Sequence, residues 1–476
     1  MLPRLDEVRR QLSVRLRRAP VRRGRPGGGD RPPGPLDPGP FASPTGPGAA
    51  GGPPGPRVAL LNDCRDQANY GAVALVEGLL AILSRALPNL VVVPVPSHWL
   101  MDTTSGFDAF VDAGAGMARP RARFPAVADQ FDALGEDWLE GRGGPDADLF
   151  LGQLRGADLV VLNGEGSLYR SNQSAFRELF LAWLAREHLG LPTVFLNGTV
   201  HLTDVVPVLP AMVGKAFTRL DAVAVREPCS LRNLAQFLPE VPARMIPDSA
   251  FAGTADQARH SAAVRAVRAR IGDRPYFCFD PGAMPMDHRS PQRSPVYALV
   301  RSLKDLPPEG GSPEGRGLEA VLVASAPQDR YIRRIAVATG SVYVEDLGDH
   351  REYMALVGSA AFALSGRYHN PILAAIMGCP SITFASANHK VHGACELLDG
   401  VLGTPYDSTS LGPALGAIEH QARAYLAAGD GLRERLRQIC ERRRAETAEL
   451  GDLAAAHVRA PGPGSAPGSG PAPRAG

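Results

Sequence analysis

The chain reads as an α/β protein made of two Rossmann-like domains, and three observations predict this. Its 476 residues exceed what one hydrophobic core organises, at roughly 150 residues per domain. Short continuous runs of Val, Leu and Ile alternate with helical patterns, as expected of parallel strands covered on both faces. The alternation then runs a second time, so a cleft between two domains is expected.

The elements follow in order. PRVALLND is a strand that ends in polar residues, and GAVALVEGLLAILSRAL is a helix with apolar positions recurring at three and four. LVVVPVP is a second strand, and the polar stretch 97–148 has no assigned structure. ADLVVLNGEGSLY, LPTVFLNGTVHL and LDAVAVREPCSL each read as a buried strand running into a turn, with REPCSLRNLAQFL opening a helix and ARMIPDSAF closing the first half. In the second half PYFCFDP, EAVLVASAP, SVYVEDL, AAFALSGRYHN and PSITFAS are strands, with DRYIRRIAVAT and NPILAAIMG helical between them. The expected boundaries are 1–56 for a disordered basic Pro/Gly-rich extension, 57–255 and 256–430 for the two domains, 431–458 for a C-terminal helix and 459–476 for a disordered tail. PPEGGSPEGRG, 307–317, reads as a surface insertion.

Composition narrows the class. A net charge of +2 and 44% hydrophobic residues describe a soluble globular protein and exclude a nucleic-acid binder. The six cysteines form no CxxC pair and no zinc spacing, so they read as reduced thiols, and neither metal nor cofactor is expected. No apolar run approaches the ~18 residues of a membrane span, which implies a cytoplasmic setting. Before Arg57 there are ten arginines against four acids. MLPRLDEVRRQLSVRLRRAP fits a basic amphipathic helix that touches acidic lipid at the inner face of the membrane, or, more plainly, a solvated extension.

In open parallel sheets, ligands sit beyond the carboxyl ends of strands, where loops and helix N-termini leave polar groups facing a crevice. Arg367 and His369 in SGRYHN fall at such a strand end, before a helix expected to begin near Pro371 with Asn370 as its N-cap. Arginine there can hold a phosphate or carboxylate through two parallel hydrogen bonds, and histidine can move a proton near neutral pH. Arg226, in AVREPCSL, occupies the same kind of position, with Ser230 near the helix start. NGEGSLY places Gly164, Gly166 and Ser167 around Glu165 in a turn suited to close backbone approach by a ligand. DCRDQANYG puts Asp63, Asp66, Asn69 and Gly71 at the first strand-to-helix loop, and His201, His389 and Lys390 lie after later strands. Each alone has a plainer reading: Arg226 paired with Glu227, Asp66 as a helix cap, His201 as a satisfied structural histidine.

Taken in order, NYGAVALVEGLLAIL, DLVVLNGEGSLY, VREPCSLRNL, IPDSAF, SGRYHNPILAAIMGCPSITF and HK followed by HGACELL resemble the blocks of the polysaccharide pyruvyl transferase family, over roughly Arg57 to Leu398. The resemblance implies a GT-B-like arrangement of the two domains. It also implies transfer of the enolpyruvyl unit of phosphoenolpyruvate to a glycan or lipid-linked sugar acceptor, forming a pyruvate ketal. The family's R-E-x-x-S arginine falls on Arg226 and its R-x-H block on Arg367, Tyr368 and His369, which would bind the donor's phosphate and carboxylate. His369 would transfer a proton or bind the departing phosphate, and Glu165, Asp63 and Asp66 are candidate bases. Asn69, Gly71, Gly164, Gly166, Ser167, His201, Ser230, His389 and Lys390 would bind substrate. The glycine block departs from the family, which commonly shows three glycines where Glu165 stands here between Gly164 and Gly166. Two other readings stay open: a nucleotide-sugar glycosyltransferase using Glu396 for the ribose, and a non-catalytic member that binds a glycan or a partner.

Overall fold

The computed structural model describes residues 55–67, 69–101, 121–170, 172–205, 207–282, 284, 290–307, 317–345 and 347–459. The basic extension before residue 55, most of the 307–317 insertion and the tail after residue 459 fall outside them. β1 (Arg57–Asp63), β2 (Val91–Pro96), β3 (Leu159–Leu168), β4 (Thr193–Val200), β5 (Ala222–Val225) and β6 (Ala243–Met245) form one sheet in the order β2-β1-β3-β4-β5-β6. β7 (Tyr276–Asp280), β8 (Glu319–Ala324), β9 (Val342–Glu345), β10 (Ala363–Ser365) and β11 (Ser381–Thr383) form a second, β11-β10-β7-β8-β9. Every neighbouring pair in both is parallel.

The continuity of the apolar runs has a direct cause. Successive side chains of a strand point to opposite faces, and here both faces are covered. Val58 and Leu60 join one core with Leu159 and Val161, while Ala59 and Leu61 join another with Val160 and Leu162. The second sheet divides likewise, Cys278, Val321 and Val323 to one side and Phe277, Phe279 and Leu322 to the other.

Around the first sheet lie α1 (Tyr70–Ala86), α2 (Ser97–Leu100), α3 (Phe131–Leu139), α4 (Ala147–Leu154), α5 (Gln173–Glu187), α6 (Val208–Phe217) and α7 (Pro228–Phe237). The unassigned stretch 97–148 thus contributes helices, and Phe131, Trp138 and Phe150 bury edge-to-face against Phe180 and Phe124. The second sheet carries α8 (Ala262–Ile271), α9 (Pro295–Lys304), α10 (Ile332–Thr339), α11 (His350–Val357), α12 (His369–Ile376) and α13 (Lys390–Leu397). α14 (Leu411–Glu446) is broken at Gly429, whose φ of 52° and ψ of −139° are non-helical, and α15 (Glu449–His457) follows. α15 leaves the second sheet: Leu450, Leu453 and Ala454 are buried in the core of the first. No helix among the described residues is long and apolar enough to cross a membrane.

Sheet order fixes where a ligand can enter. In the first sheet the direction of winding reverses between β1 and β3, and in the second between β7 and β10. Reversal sends the following connections to opposite faces and leaves a crevice at the strand ends. The two crevices face each other.

Candidate functional site

Between the switch points lies a cavity of about 270 Å³. Asn62, Asn69 and Gly71 reach it from the end of β1 and the start of α1; Glu165, Gly166, Ser167, Tyr169 and Arg170 come from the end of β3, and Glu178 from α5. The second half contributes Arg367, Tyr368, His369 and Asn370 after β10, and Asn388 and Lys390 at the start of α13.

Arg226 ends β5 and is wholly buried. Its Nε donates to Thr199 Oγ1 at 2.9 Å, and its Nη1 lies 3.1 Å from Asp248 Oδ2 and 3.3 Å from His369 Nε2. Its guanidinium carbon stacks 4.0 Å from the centroid of the Tyr368 ring. Asp248, not Glu227, is its partner, because Glu227 turns to cap α7 by accepting from the Ser230 amide at 2.8 Å. Nη2 is left buried without a hydrogen-bond partner. It lies beside Gly166: a Cβ placed there would sit 3.6 Å from Nη2 and 3.5 Å from Lys390 Nζ.

Arg367 takes a different position. Its Nε lies 3.1 Å from Asp329 Oδ2 and 3.6 Å from Asp280 Oδ1. Each strand-end arginine therefore lies next to a carboxylate distant in the chain, since a buried guanidinium without one is too costly. Arg367 is the more fully neutralised, and burial of Asp329, with Asp280 beside it and against Arg367, pushes its carboxyl up to about 6.

The N-terminus of α12 also departs from expectation. It begins at His369 with Tyr368 in the cap position, and no side chain caps it. Asn370 instead donates to Asp280 Oδ2 at 2.8 Å, tying α12 to β7. His369 itself is held 3.5 Å from Asp248 Oδ2, and a Cβ on Gly71 would lie 2.7 Å from its Nδ1. Gly71 is thus the space that His369 fills.

NGEGSLY is not a turn after a strand but the strand itself. β3 continues through it to Leu168, pairing Glu165 with Gly198 and Leu168 with Val200 across a bulge. Gly164 permits this, since a Cβ there would meet the Phe195 ring and stand 2.6 Å from the Gly198 Cα. Glu165 adopts φ of 37°, a left-handed conformation rare outside glycine. Its carboxylate turns back onto the Gly166 amide. Burial works to raise its pKa, but Arg226, Lys390 and His369 outweigh it and hold the carboxyl below its ordinary value. For Lys390, burial and then the arginines Arg226, Arg367 and Arg170 press the pKa down against the pull of Glu165. Three arginines thus add to the effect of burial on Lys390, and Glu165 is the anion that stands against them.

Arg226 and Gly164 stand just behind the cavity lining, and the remaining sequence candidates also sit outside it. Asp66 is buried, accepting from Ser97 Oγ at 2.6 Å and the His98 amide at 2.9 Å, and so serves the first turn of α2; Asn69, in the cavity lining, caps α1 by accepting from the Gly71 amide. Asp63 caps the short 3₁₀ turn before α1 and pairs with Arg65 at 2.5 Å. His201 and His389 face each other, Nδ1 to Nδ1 at 2.8 Å, with His389 Nε2 3.2 Å from Ser230 Oγ. Burial, then His201, drives the pKa of His389 down to about 4. Glu396 is spent on Arg232, 2.6 Å away. Its exposed pair joins α7 to α13.

Sequence reasoning missed Glu178, Tyr169 and Arg170. Glu178 had a signal: it stands in SAFRELFLAWLA, amid residues whose neighbours on α5 are buried all round. An acid within such a stripe has either a partner or a proton. Its Oε2 lies 2.6 Å from Ser167 Oγ. Burial pushes its carboxyl up to about 8, the Ser167 hydrogen bond opposing and Glu165 adding to the rise.

A family model described as polysaccharide pyruvyl transferase matches residues 69–388. No curated protein sequence matches the chain. Among solved structures, the α,α-trehalose 6-phosphate synthase of Burkholderia multivorans is similar at 14% identity with a TM-score of 0.50, covering 84% of this chain and 99% of that one. The UDP-GlcNAc 2-epimerase of Methanocaldococcus jannaschii is similar at 11% identity and a TM-score of 0.46, over 78% of this chain and 92% of that one. At 14% identity the first likeness bears on the fold alone, and the fold is GT-B-like: two Rossmann-like domains facing across a cleft.

Proposed function

We propose, since the chain belongs to the polysaccharide pyruvyl transferase family, that it transfers the pyruvyl group of phosphoenolpyruvate to two hydroxyls of a sugar, on a glycan or a lipid-linked precursor. The observation that carries this reading is the convergence of Arg226 Nη2 and Lys390 Nζ, one from each half, on the backbone of Gly166. A buried guanidinium N–H without a partner, beside a half-buried ammonium, suits a small multiply charged anion. Arg367, bound between Asp280 and Asp329, serves on this reading to hold the loop after β10, and Tyr368 holds the guanidinium of Arg226.

The chemistry balances with the groups present. A proton from His369 adds to the methylene carbon of the donor, and the electron-poor carbon that results is attacked by the first sugar hydroxyl, which gives its proton to Glu165. Glu165 is held ionised for this role. The carbon–oxygen bond to phosphate breaks, the second hydroxyl attacks and loses its proton, and the ketal closes. Two hydroxyl protons are released in all; one replaces that used to form the methyl group and one leaves on phosphate. Lys390 and Arg226, one from each half, flank Gly166 together, so donor binding draws on both halves at once.

The test is incubation of the purified protein with phosphoenolpyruvate and candidate glycans. The expected result is release of phosphate in step with a mass gain of one pyruvate less one water on the glycan. Turnover of nucleotide sugars with no response to phosphoenolpyruvate would overturn the proposal in favour of a glycosyltransferase, and binding without turnover of either would favour a non-catalytic role.

A further inference from the structure

Ser167 Oγ has two oxygen neighbours, the Gly164 carbonyl at 3.0 Å and Glu178 Oε2 at 2.6 Å. A hydroxyl carries one proton. Neither the carbonyl nor an ionised carboxylate can donate, so the two contacts are both hydrogen bonds only if Glu178 supplies a second proton beside that of the serine. The second contact therefore needs a proton from the other side. From this geometry we infer that Glu178 is a neutral carboxylic acid that donates to Ser167, fixes the Gly164–Ser167 end of β3, and makes anion binding in the cavity conditional on its own proton.

The surroundings bear this out. Glu178 is 2% exposed. The titratable groups that act with it are Glu165 on β3 and Cys64 in the turn after β1; Tyr169 lines the same cavity, and Asp66, after β1, is already paired with His98 on α2. Across the cavity stand Arg170 and Lys390. Arg177, its neighbour on α5, donates instead to the carbonyls of Leu100 and Met101. Of these groups Glu165 is the charge that acts on Glu178, and it is an anion. Arg226 and Lys390 act through space on Glu165 and are not among the charges that act on Glu178. An ionised Glu178 would place a second carboxylate behind the segment that presents Gly166 to the ligand, and would draw the single serine proton away from the Gly164 carbonyl. Glu178 is a positioning residue: it acts through Ser167. The inference adds to the donor site proposed above and rests on that reading only for the identity of the anion.

The test uses the full chain, with sulfate, whose charge does not change between pH 7 and 9, and phosphoenolpyruvate as probes in titration calorimetry. Because apparent affinity scales with the competent fraction, an acid titrating at about 8 predicts wild-type affinity for both probes about tenfold weaker at pH 9 than at pH 7. Glu178→Gln keeps a neutral donor to Ser167 and should remove that dependence, whereas Glu178→Ala should bind weakly at both pH values. An infrared difference spectrum of wild type against Glu178→Gln at pH 7 should show a protonated carboxylic acid band. Absence of that band, or an equal pH dependence in Glu178→Gln, overturns the inference. Binding of sulfate but not phosphoenolpyruvate overturns the donor assignment instead, and leaves the role of Glu178 standing.

Discussion

Arg226 is fully buried with one fixed carboxylate partner and one nitrogen left over. Substitution by alanine leaves Asp248 as an uncompensated buried charge beside His369, so Arg226→Ala is expected to cost about 3–5 kcal/mol in urea denaturation, besides abolishing turnover. Glu178 makes stability depend on pH. Its carboxyl rises from an ordinary 4.5 to about 8 in the folded protein. Over that window the native state holds a proton that the unfolded state has released. Its contribution to stability is therefore complete below pH 4.5 and is lost as pH rises towards 8. The melting temperature of the wild type should fall across this range more steeply than that of Glu178→Gln; equal slopes would show that Glu178 does not titrate there. His369 was legible in the sequence as a strand-end histidine, but its partner Asp248 was not, because nothing in IPDSAF marks which cation the aspartate will meet.

At the level of elements, two glycines separated by one residue do unlike work. Gly164 leaves room for the ring of Phe195 and the approach of β4, so Gly164→Ala overpacks the core and should destabilise by about 1–3 kcal/mol. Gly166 has ordinary van der Waals room for a Cβ, bounded by Lys390 and Arg226. Gly166→Ala should keep the melting temperature and raise the KM for the donor, because the methyl group takes the place of the anion. Gly71→Ala meets His369 at the ring and should lower kcat by displacing the proton donor. From sequence these three are glycines near strand ends; the difference lies in what faces each one across the fold. The reading of β3 shows the same limit. Its apolar half was evident, but NGEGSLY looked like a turn because glycine is disfavoured in strands, and only the fit against β4 makes glycine necessary there.

For the whole molecule, the two halves are held by polar contacts across the cleft: Arg226 to His369, Tyr70 Oη to Asp280 at 3.4 Å, Arg232 to Glu396 and Arg351 to Glu77. α15 adds an apolar tie. Leu450 is fully buried against the first sheet although the chain reaches it only after completing the second. Leu450→Ala should therefore cost about 2–5 kcal/mol and raise amide exchange in β1 and α1 before β7 and β8; a uniform change, or none, would contradict this placement.

The sequence by itself determined that there are two parallel α/β halves, and roughly where each strand ends, because burial on both faces demands unbroken apolar runs and those are read locally. It also determined which strand ends carry charge and glycine, and, through the order of its blocks, the family. Only the tertiary structure decided which of those ends share a cavity, that each arginine is answered by a carboxylate, and that Glu178 belongs to the site. Charge pairing and protonation depend on distance and exclusion of water, and residues far apart in the chain acquire both only when the two switch points face each other.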